Sequence, residues 1–241
     1  MPDSRLPPRA GSAAPIEPWR WHQLADRKQL QQEALRRILA FATTAEQERG
    51  RFLIVLAGGE TPRGLYQQLR TLATNWSTWH IYFSDERCLS ANDAGRNSRM
   101  AGAAWLDHVP IPAQQIHPIP AELGASVAAE AYAATLRDVG DFDLVLLGLG
   151  EDGHTASPFA EPDGTLATVS VDAIAVFNAP KPPPQRVSLS AARLGRTRQL
   201  LFLIEGEGKR NVVTDWRAGK DIPARHILPA SGVDVLWAPG Q

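Results

Sequence analysis

Cysteine is nearly missing from this chain. Cys88 is its only cysteine in 241 residues, which excludes an intrachain disulfide and any zinc site built on cysteines. A chain of this length buries enough apolar surface to fold without such staples. The scarcity is compatible with a reducing compartment. Basic excess is missing too. Lys and Arg number 25 against 26 Asp and Glu, a formal net charge of -1, which argues against a general nucleic-acid binder. No apolar run approaches the ~20 residues of a membrane span. Residues 1–18, rich in Pro, Ala and Ser, lack the apolar stretch of a secretory leader. They are expected to form a loose N-terminal tail, with residues 19–241 as a single domain. The expected compartment is the cytoplasm, and the expected assembly a monomer or weak homodimer.

What is present is an alternation of helical and extended patterns. Leu30, Ala34, Ile38 and Phe41 recur at helical spacing within Ala25 to Glu48, and Gly50 follows as a stop. Phe52 to Ala57 is a continuous apolar run of strand length, the pattern of a strand buried on both faces of a parallel sheet. Further helices are expected over Pro62–Leu72, Asn97–Leu106, Ser126–Arg137 and Gly208–Trp216. Further strands are expected at His80–Phe83, Phe142–Leu147, Ala173–Phe177, Arg186–Leu189, Leu200–Ile204 and Val233–Trp237. This order predicts an α/β layered fold with a mainly parallel sheet flanked by helices. Such sheets bind ligands at the carboxyl ends of their strands, so the loops that follow each strand are where chemistry is sought.

Four of those loops stand out. In Ala57-Gly-Gly-Glu-Thr-Pro62, Gly58 and Gly59 permit a tight turn and close backbone approach, with Thr61 as expected N-cap and Pro62 as first helical residue. The exposed N–H groups of such a helix start suit an anion, although the same residues also make an ordinary capped turn. The Gly-Lys-Ser/Thr ending of a Walker loop is absent. In Ser84-Asp-Glu-Arg87, Asp85 and Glu86 beside Arg87 form either a sugar- and phosphate-binding group or a solvated charge cluster. Neighbouring Cys88 reads as a small buried residue.

The third loop, Gly148 to Ser157, contains G-x-G-x-x-G, but Pro158 and Pro162 argue against the helix that a dinucleotide fingerprint needs. It offers instead Asp152 and His154, two apart at a strand end. Histidine titrates near neutrality and suits general-base work, and a carboxylate nearby fixes its tautomer. No second His or Cys lies at zinc-ligand spacing, so no metal is expected. His22, His80, His108, His117 and His226 read as structural. The fourth loop, Asn178 to Arg186, is stiffened by prolines and carries Lys181 and Arg186. Lys209, after Gly206-Glu-Gly, is a further candidate phosphate contact or a solvated first-turn lysine.

Taken in order, Gly58-Gly59-x-Thr61-Pro62, Asp85-Glu86-Arg87, Gly150-x-Asp152-Gly153-His154-Thr155-Ala156-Ser157 and Ala179-Pro180-Lys181-Pro182-Pro183-x-x-Arg186 resemble the 6-phosphogluconolactonase family from about Phe52 to Lys209. The resemblance implies a Rossmann-like fold shared with sugar-phosphate isomerases and glucosamine-6-phosphate deaminases. It also implies hydrolysis of 6-phospho-D-glucono-1,5-lactone, a sugar-phosphate substrate, without a cofactor. Thr155-Ala156-Ser157 after His154 and Arg87 after Asp85-Glu86 favour the lactonase over the deaminase branch; a non-catalytic sugar-phosphate sensor is the other alternative. Two departures bear on the pocket: Glu60 stands where the family has Ser, and Pro158-Phe159-Ala160-Glu161 replaces Leu-Phe-Pro-Gly. By resemblance the catalytic candidates are His154, Asp152 and Asp85. The first proton acceptor is either His154 or Asp85.

Overall fold

The computed structural model describes residues 18–157 and 171–240. In chain order the strands are β1 (Trp19–Gln23), β2 (Phe52–Leu56), β3 (Trp79–Phe83), β4 (Asp85–Arg87), β5 (Leu144–Leu147), β6 (Ala173–Val176), β7 (Arg186–Leu189), β8 (Leu200–Glu205) and β9 (Val233–Ala238). The α-helices are α1 (Arg27–Arg49), α2 (Glu60–Leu69), α3 (Asn97–Ala104), α4 (Ala125–Leu136), α5 (Ala191–Gly195) and α6 (Arg210–Arg217). Six strands form one wholly parallel sheet in the order β1-β9-β8-β5-β2-β3. The other three form a small antiparallel sheet, β4-β7-β6, against which α4 packs.

Local sequence explains the central layer. Every residue of β2, β5 and β9 is buried; β2 and β5 are continuous apolar runs, as strands covered on both faces require, and β9 departs only at Asp234. The Asp26 carboxylate accepts the Gln29 N–H at 2.8 Å and caps α1. Leu30, Ala34, Ile38, Ala42 and Ala45 form its buried stripe, and Gly50, at φ 69°, ends it in a left-handed turn. The other sequence expectations for the sheet hold apart from their boundaries. Two elements were not anticipated, β1 and the short α5, and Asp85-Glu86-Arg87 is a strand rather than a loop. The expected N-terminal tail falls on residues outside the described ones, apart from Pro18, as do Pro158 to Pro162.

Two carboxylates pin the sheet away from its ligand edge. Asp143, at the amino end of β5, accepts the Leu53 N–H at 2.8 Å and pairs with Arg49 at 2.9 Å and Arg198 at 3.5 Å. Asp234, near the start of β9, meets Arg20 at 2.6 Å, His22 at 2.6 Å and Arg37 at 2.9 Å. Burial alone would raise the Asp234 carboxyl, but these partners outweigh it and bring it down to about 2. His22 is thereby structural, as read from the sequence.

Removing the Asp143 carboxylate leaves the Leu53 N–H without its acceptor at the amino edge, away from the ligand edge, while Arg49 keeps Glu48. Asp143→Ala is expected to lose about 1–3 kcal/mol of stability, the usual cost of leaving a buried N–H unsatisfied. Urea unfolding checks this, and kcat of the folded variant is expected to stay unchanged.

Candidate active site

The carboxyl ends of β2, β3, β5 and β8 open onto one cavity of about 540 Å³. Gly58, Gly59, Thr61, Asp85, Arg87, His154, Lys181, Arg186 and Lys209 all line it. Nine of the ten site residues expected from the sequence therefore converge there, and the tenth, Asp152, is bonded to His154. They arrive from five segments spread between Gly58 and Lys209, more than half the chain. The parallel sheet brings the Gly58, His154 and Lys209 loops together, and the β4-β7 pairing adds Asp85, Arg87 and Arg186.

The first loop differs in detail from its sequence reading. Gly59, at φ 106° and ψ 172°, is the N-cap of α2, and Glu60 is the first helical residue. Thr61 and Pro62 therefore lie one and two positions inside the helix rather than at its cap and first residue. A glycine serves as cap here because φ is positive, which a threonine adopts only under strain. Glu60 lines the cavity, but Arg63 offsets its charge. Its carboxylate is 75% exposed and pairs with Arg63 at 2.6 Å.

Asp85 and Glu86 separate sharply in role. Alternation along β4 sends them to opposite faces. Asp85 faces the cavity, where its Oδ2 accepts the Ser157 hydroxyl at 2.6 Å. Glu86 is fully buried and accepts the Asn97 and Ser98 N–H groups at 2.7 and 2.9 Å, capping the start of α3. Glu86 is thus a structural carboxylate, and the expected pair of sugar-orienting acids is reduced to one.

The cations form a group of their own. Arg87 and Arg186 stand directly opposite each other on β4 and β7. Like charges in that register are destabilising unless an anion lies between them. Arg87 donates through Nη1 to the Gly95 carbonyl at 2.6 Å, and its Nε is buried without a protein partner. Arg186 donates to the carbonyls of Lys181 at 2.7 Å and Pro183 at 3.2 Å, so the proline-rich loop fixes its guanidinium. Burial lowers the Arg186 pKa, Asp85 opposes that shift and Arg87 adds to it. Burial also lowers the Lys209 ammonium, with Lys181 adding to the effect against Glu151 and Asp152. Lys181 is exposed at the rim.

His154 sits in a loop that only its glycines allow. The Gly150 N–H donates to the His154 carbonyl at 2.6 Å, and Gly153 takes φ 83°. His154 Nδ1 is joined to Asp152 Oδ1 by a hydrogen bond. Burial would raise the Asp152 carboxyl, but the hydrogen bond and charge of His154 hold it below the usual range. A carboxylate at Nδ1 fixes the tautomer with the proton there and makes Nε2 the basic nitrogen. Gly150 packs flat beneath this pair: a methyl at its Cα would collide with both the imidazole and the Asp152 carboxylate. Ala156, at φ 47°, carries strain within the same loop, and the Ser157 bonds to Asp85 and Ser188 hold it. No helix opens between Gly153 and Ser157, so the dinucleotide reading of the glycines is excluded over the described residues.

Three lining residues were missed from the sequence. Asn97, at the start of α3, is 4% exposed and lies across Gly58. Arg27 and Glu205 close one side of the rim as an ion pair. Their signal exists only in three dimensions. Cys88 is half-buried and burial pushes its thiol up, which suits an inert residue. Among the described residues no cluster of three or more His, Cys, Asp or Glu is placed to hold a metal, and no helix is long and apolar enough to cross a membrane.

A parallel sheet whose ligand edge joins a histidine–aspartate pair to clustered cations defines a class of sugar-phosphate enzymes. Residues 25–237 match the family of glucosamine-6-phosphate isomerases/6-phosphogluconolactonase, and the chain belongs to it. It is 36% identical over 227 residues to the 6-phosphogluconolactonase of Synechocystis sp., covering 89% of this chain and 92% of that one. It is 34% identical over 220 residues to that of Mycobacterium tuberculosis, covering 84% and 87%. Among solved structures, the 6-phosphogluconolactonase of Thermotoga maritima superposes with a TM-score of 0.84 at 25% identity, over 91% of this chain and 99% of that one. That of Trypanosoma brucei gives 0.81 at 26% identity, over 90% and 95%.

Because Gly150 is the floor of the histidine–aspartate pair, Gly150→Ala is expected to break that hydrogen bond while leaving the fold intact. Proton NMR of the folded protein is expected to show a far-downfield imidazole Nδ1–H in the wild type and none in the variant.

Proposed function

We propose that this enzyme hydrolyses 6-phospho-D-glucono-1,5-lactone to 6-phospho-D-gluconate, with His154 as the base. The observation that carries this reading is the placement of His154, paired with Asp152, in the same cavity as Arg87, Arg186 and Lys209. A phosphate at one end and an activated ester at the other is the substrate such a cavity accommodates. The chain's relatives support the lactone as that ester.

A δ-lactone is already an activated ester, so the enzyme needs to supply positioning, one base and modest charge stabilisation. The phosphate lies on the backbone N–H groups of Gly58–Thr61, at the positive end of α2, with Arg87, Arg186 and Lys209 as its cationic partners. His154 Nε2 takes a proton from water as the water oxygen bonds to C1. Asp152 keeps the imidazole oriented and stabilises the imidazolium. The tetrahedral intermediate collapses by breaking the bond from C1 to the ring oxygen, and His154 returns its proton to that oxygen. The C1 carboxylic acid then ionises in water. Lys181, at the rim, or loop N–H groups stabilise the oxyanion. Asp85 orients the sugar and is the alternative first base. None of these steps calls on a cofactor or metal. All the residues named come from one chain, which fits a monomer or weak homodimer. The single, half-buried Cys88 suits a reducing compartment, and we place the enzyme in the cytoplasm.

His154→Ala is expected to lower kcat by about 10²- to 10⁴-fold with KM little changed. Asp85→Asn is expected to lose less. Lactone consumption corrected for spontaneous hydrolysis measures both. Near-normal kcat in His154→Ala with a collapse in Asp85→Asn would move the first proton transfer to Asp85. Ammonia release from glucosamine 6-phosphate by the wild type would point to the deaminase branch instead.

A further inference from the structure

Asp85 has unusual company for a side chain that lines a ligand cavity. Its Oδ1 accepts the Asn97 Nδ2 at 3.0 Å and the Ser84 hydroxyl at 3.2 Å, and its Oδ2 accepts the Ser157 hydroxyl at 2.6 Å. The same Asn97 Nδ2 also reaches the Asp85 backbone carbonyl at 3.0 Å. Asn97 thus holds both the side chain and the main chain of Asp85.

The other end of the amide faces the first loop. Asn97 Oδ1 abuts Gly58 so closely that any side chain there would strike it. Asn97 is itself fixed: its N–H donates to the buried Glu86 carboxylate at 2.7 Å. Its side chain therefore fills the gap between the proposed phosphate cradle and Asp85. Asp85 in turn is tied through Ser157 to the loop of His154. Three parts of the site, from three strand ends, share this one amide.

We infer that Asn97 is a positioning residue for the hydrolysis: it sets the Asp85 carboxylate against the Gly58 loop and so fixes the distance between the phosphate end and the reacting end of the cavity. Burial alone does not explain the residue. A leucine would fill similar volume without leaving a buried amide to satisfy, but it has no donor to chelate Asp85. Truncation to alanine frees Asp85 to rotate about its remaining two hydroxyl contacts. Misplacement of that order costs roughly ten- to a hundredfold in rate.

The inference rests on the lactonase reading, and a double-mutant cycle separates the two. Wild type, Asn97→Ala, Asp85→Asn and the double variant are assayed for kcat/KM on the lactone, each normalised to the folded fraction from its unfolding midpoint. Asn97→Ala is expected to lose roughly ten- to a hundredfold alone but less than threefold in the Asp85→Asn background, because there is no carboxylate left to position. Asn97→Ser, which retains a short donor, is expected to recover part of the loss, and it carries the cycle if the alanine variant does not fold. Equal losses in both backgrounds, or a lower midpoint with unchanged kcat/KM, would overturn the positioning role and leave Asn97 a packing residue. Absence of lactone hydrolysis by the wild type would instead overturn the functional reading on which it rests.

Discussion

The Asp85 carboxylate is the point at which the two sheets, two of the functional loops and α3 are tied together. The chain leaves the parallel sheet at Phe83, passes through Ser84, and enters the antiparallel sheet at Asp85. The Ser84 N–H still bonds the Leu56 carbonyl of the first sheet at 2.9 Å, while the Leu189 N–H bonds the Ser84 carbonyl from the second at 2.8 Å. Asp85 then gathers donors from Ser84, Asn97 and Ser157. A carboxylate has about four acceptor positions, so this one is nearly filled by the protein itself. Such a filled acceptor is rigid, and its rigidity passes to the His154 loop through Ser157, only three residues away. The geometry needed for proton transfer is in this way set by contacts that take no part in it.

The opposite constraint governs the cations. Arg87 and Arg186 face each other across two strands, and Lys181 adds to the burial that depresses Lys209. The protein satisfies these groups with carbonyls rather than carboxylates: Gly95 for Arg87, Lys181 and Pro183 for Arg186. Carbonyls orient a guanidinium without neutralising it. The charge stays available for a phosphate, at a cost to the stability of the empty fold. Other cations show the contrast. Arg49 and Arg37 pair with the buried carboxylates Asp143 and Asp234, far from the cavity.

Much of this was legible in one dimension because it depends on local patterns. Apolar runs and helical periodicity placed the central elements, and strand-end loops rich in glycine placed the cavity. Asp152 and His154 were readable as a pair because they are two residues apart. Thr61 was misread as a cap because the pattern Thr-Pro is a common helix start, whereas the positive φ of Gly59 moved the start upstream. β1 carries a readable alternation, Trp19-Arg20-Trp21-His22, but lies at a sheet edge and next to a proline-rich stretch. β4 is three charged residues whose strand character comes wholly from pairing with β7, a hundred residues on. The separate fates of Asp85 and Glu86 follow from that pairing. Asn97, Arg27 and Glu205 have no local signal at all, since each matters only for what the topology sets beside it.

The central claim is an orientation: phosphate at the Gly58 loop and the arginine pair, C1 at His154. A crystal structure with 6-phosphogluconate bound tests it most directly. The account predicts phosphate oxygens within hydrogen-bond distance of the Gly58–Thr61 N–H groups and of Arg87 or Arg186, with the C1 carboxylate within reach of His154 Nε2. A product bound the other way round, with C1 between Arg87 and Arg186 and the phosphate beside His154, would contradict it.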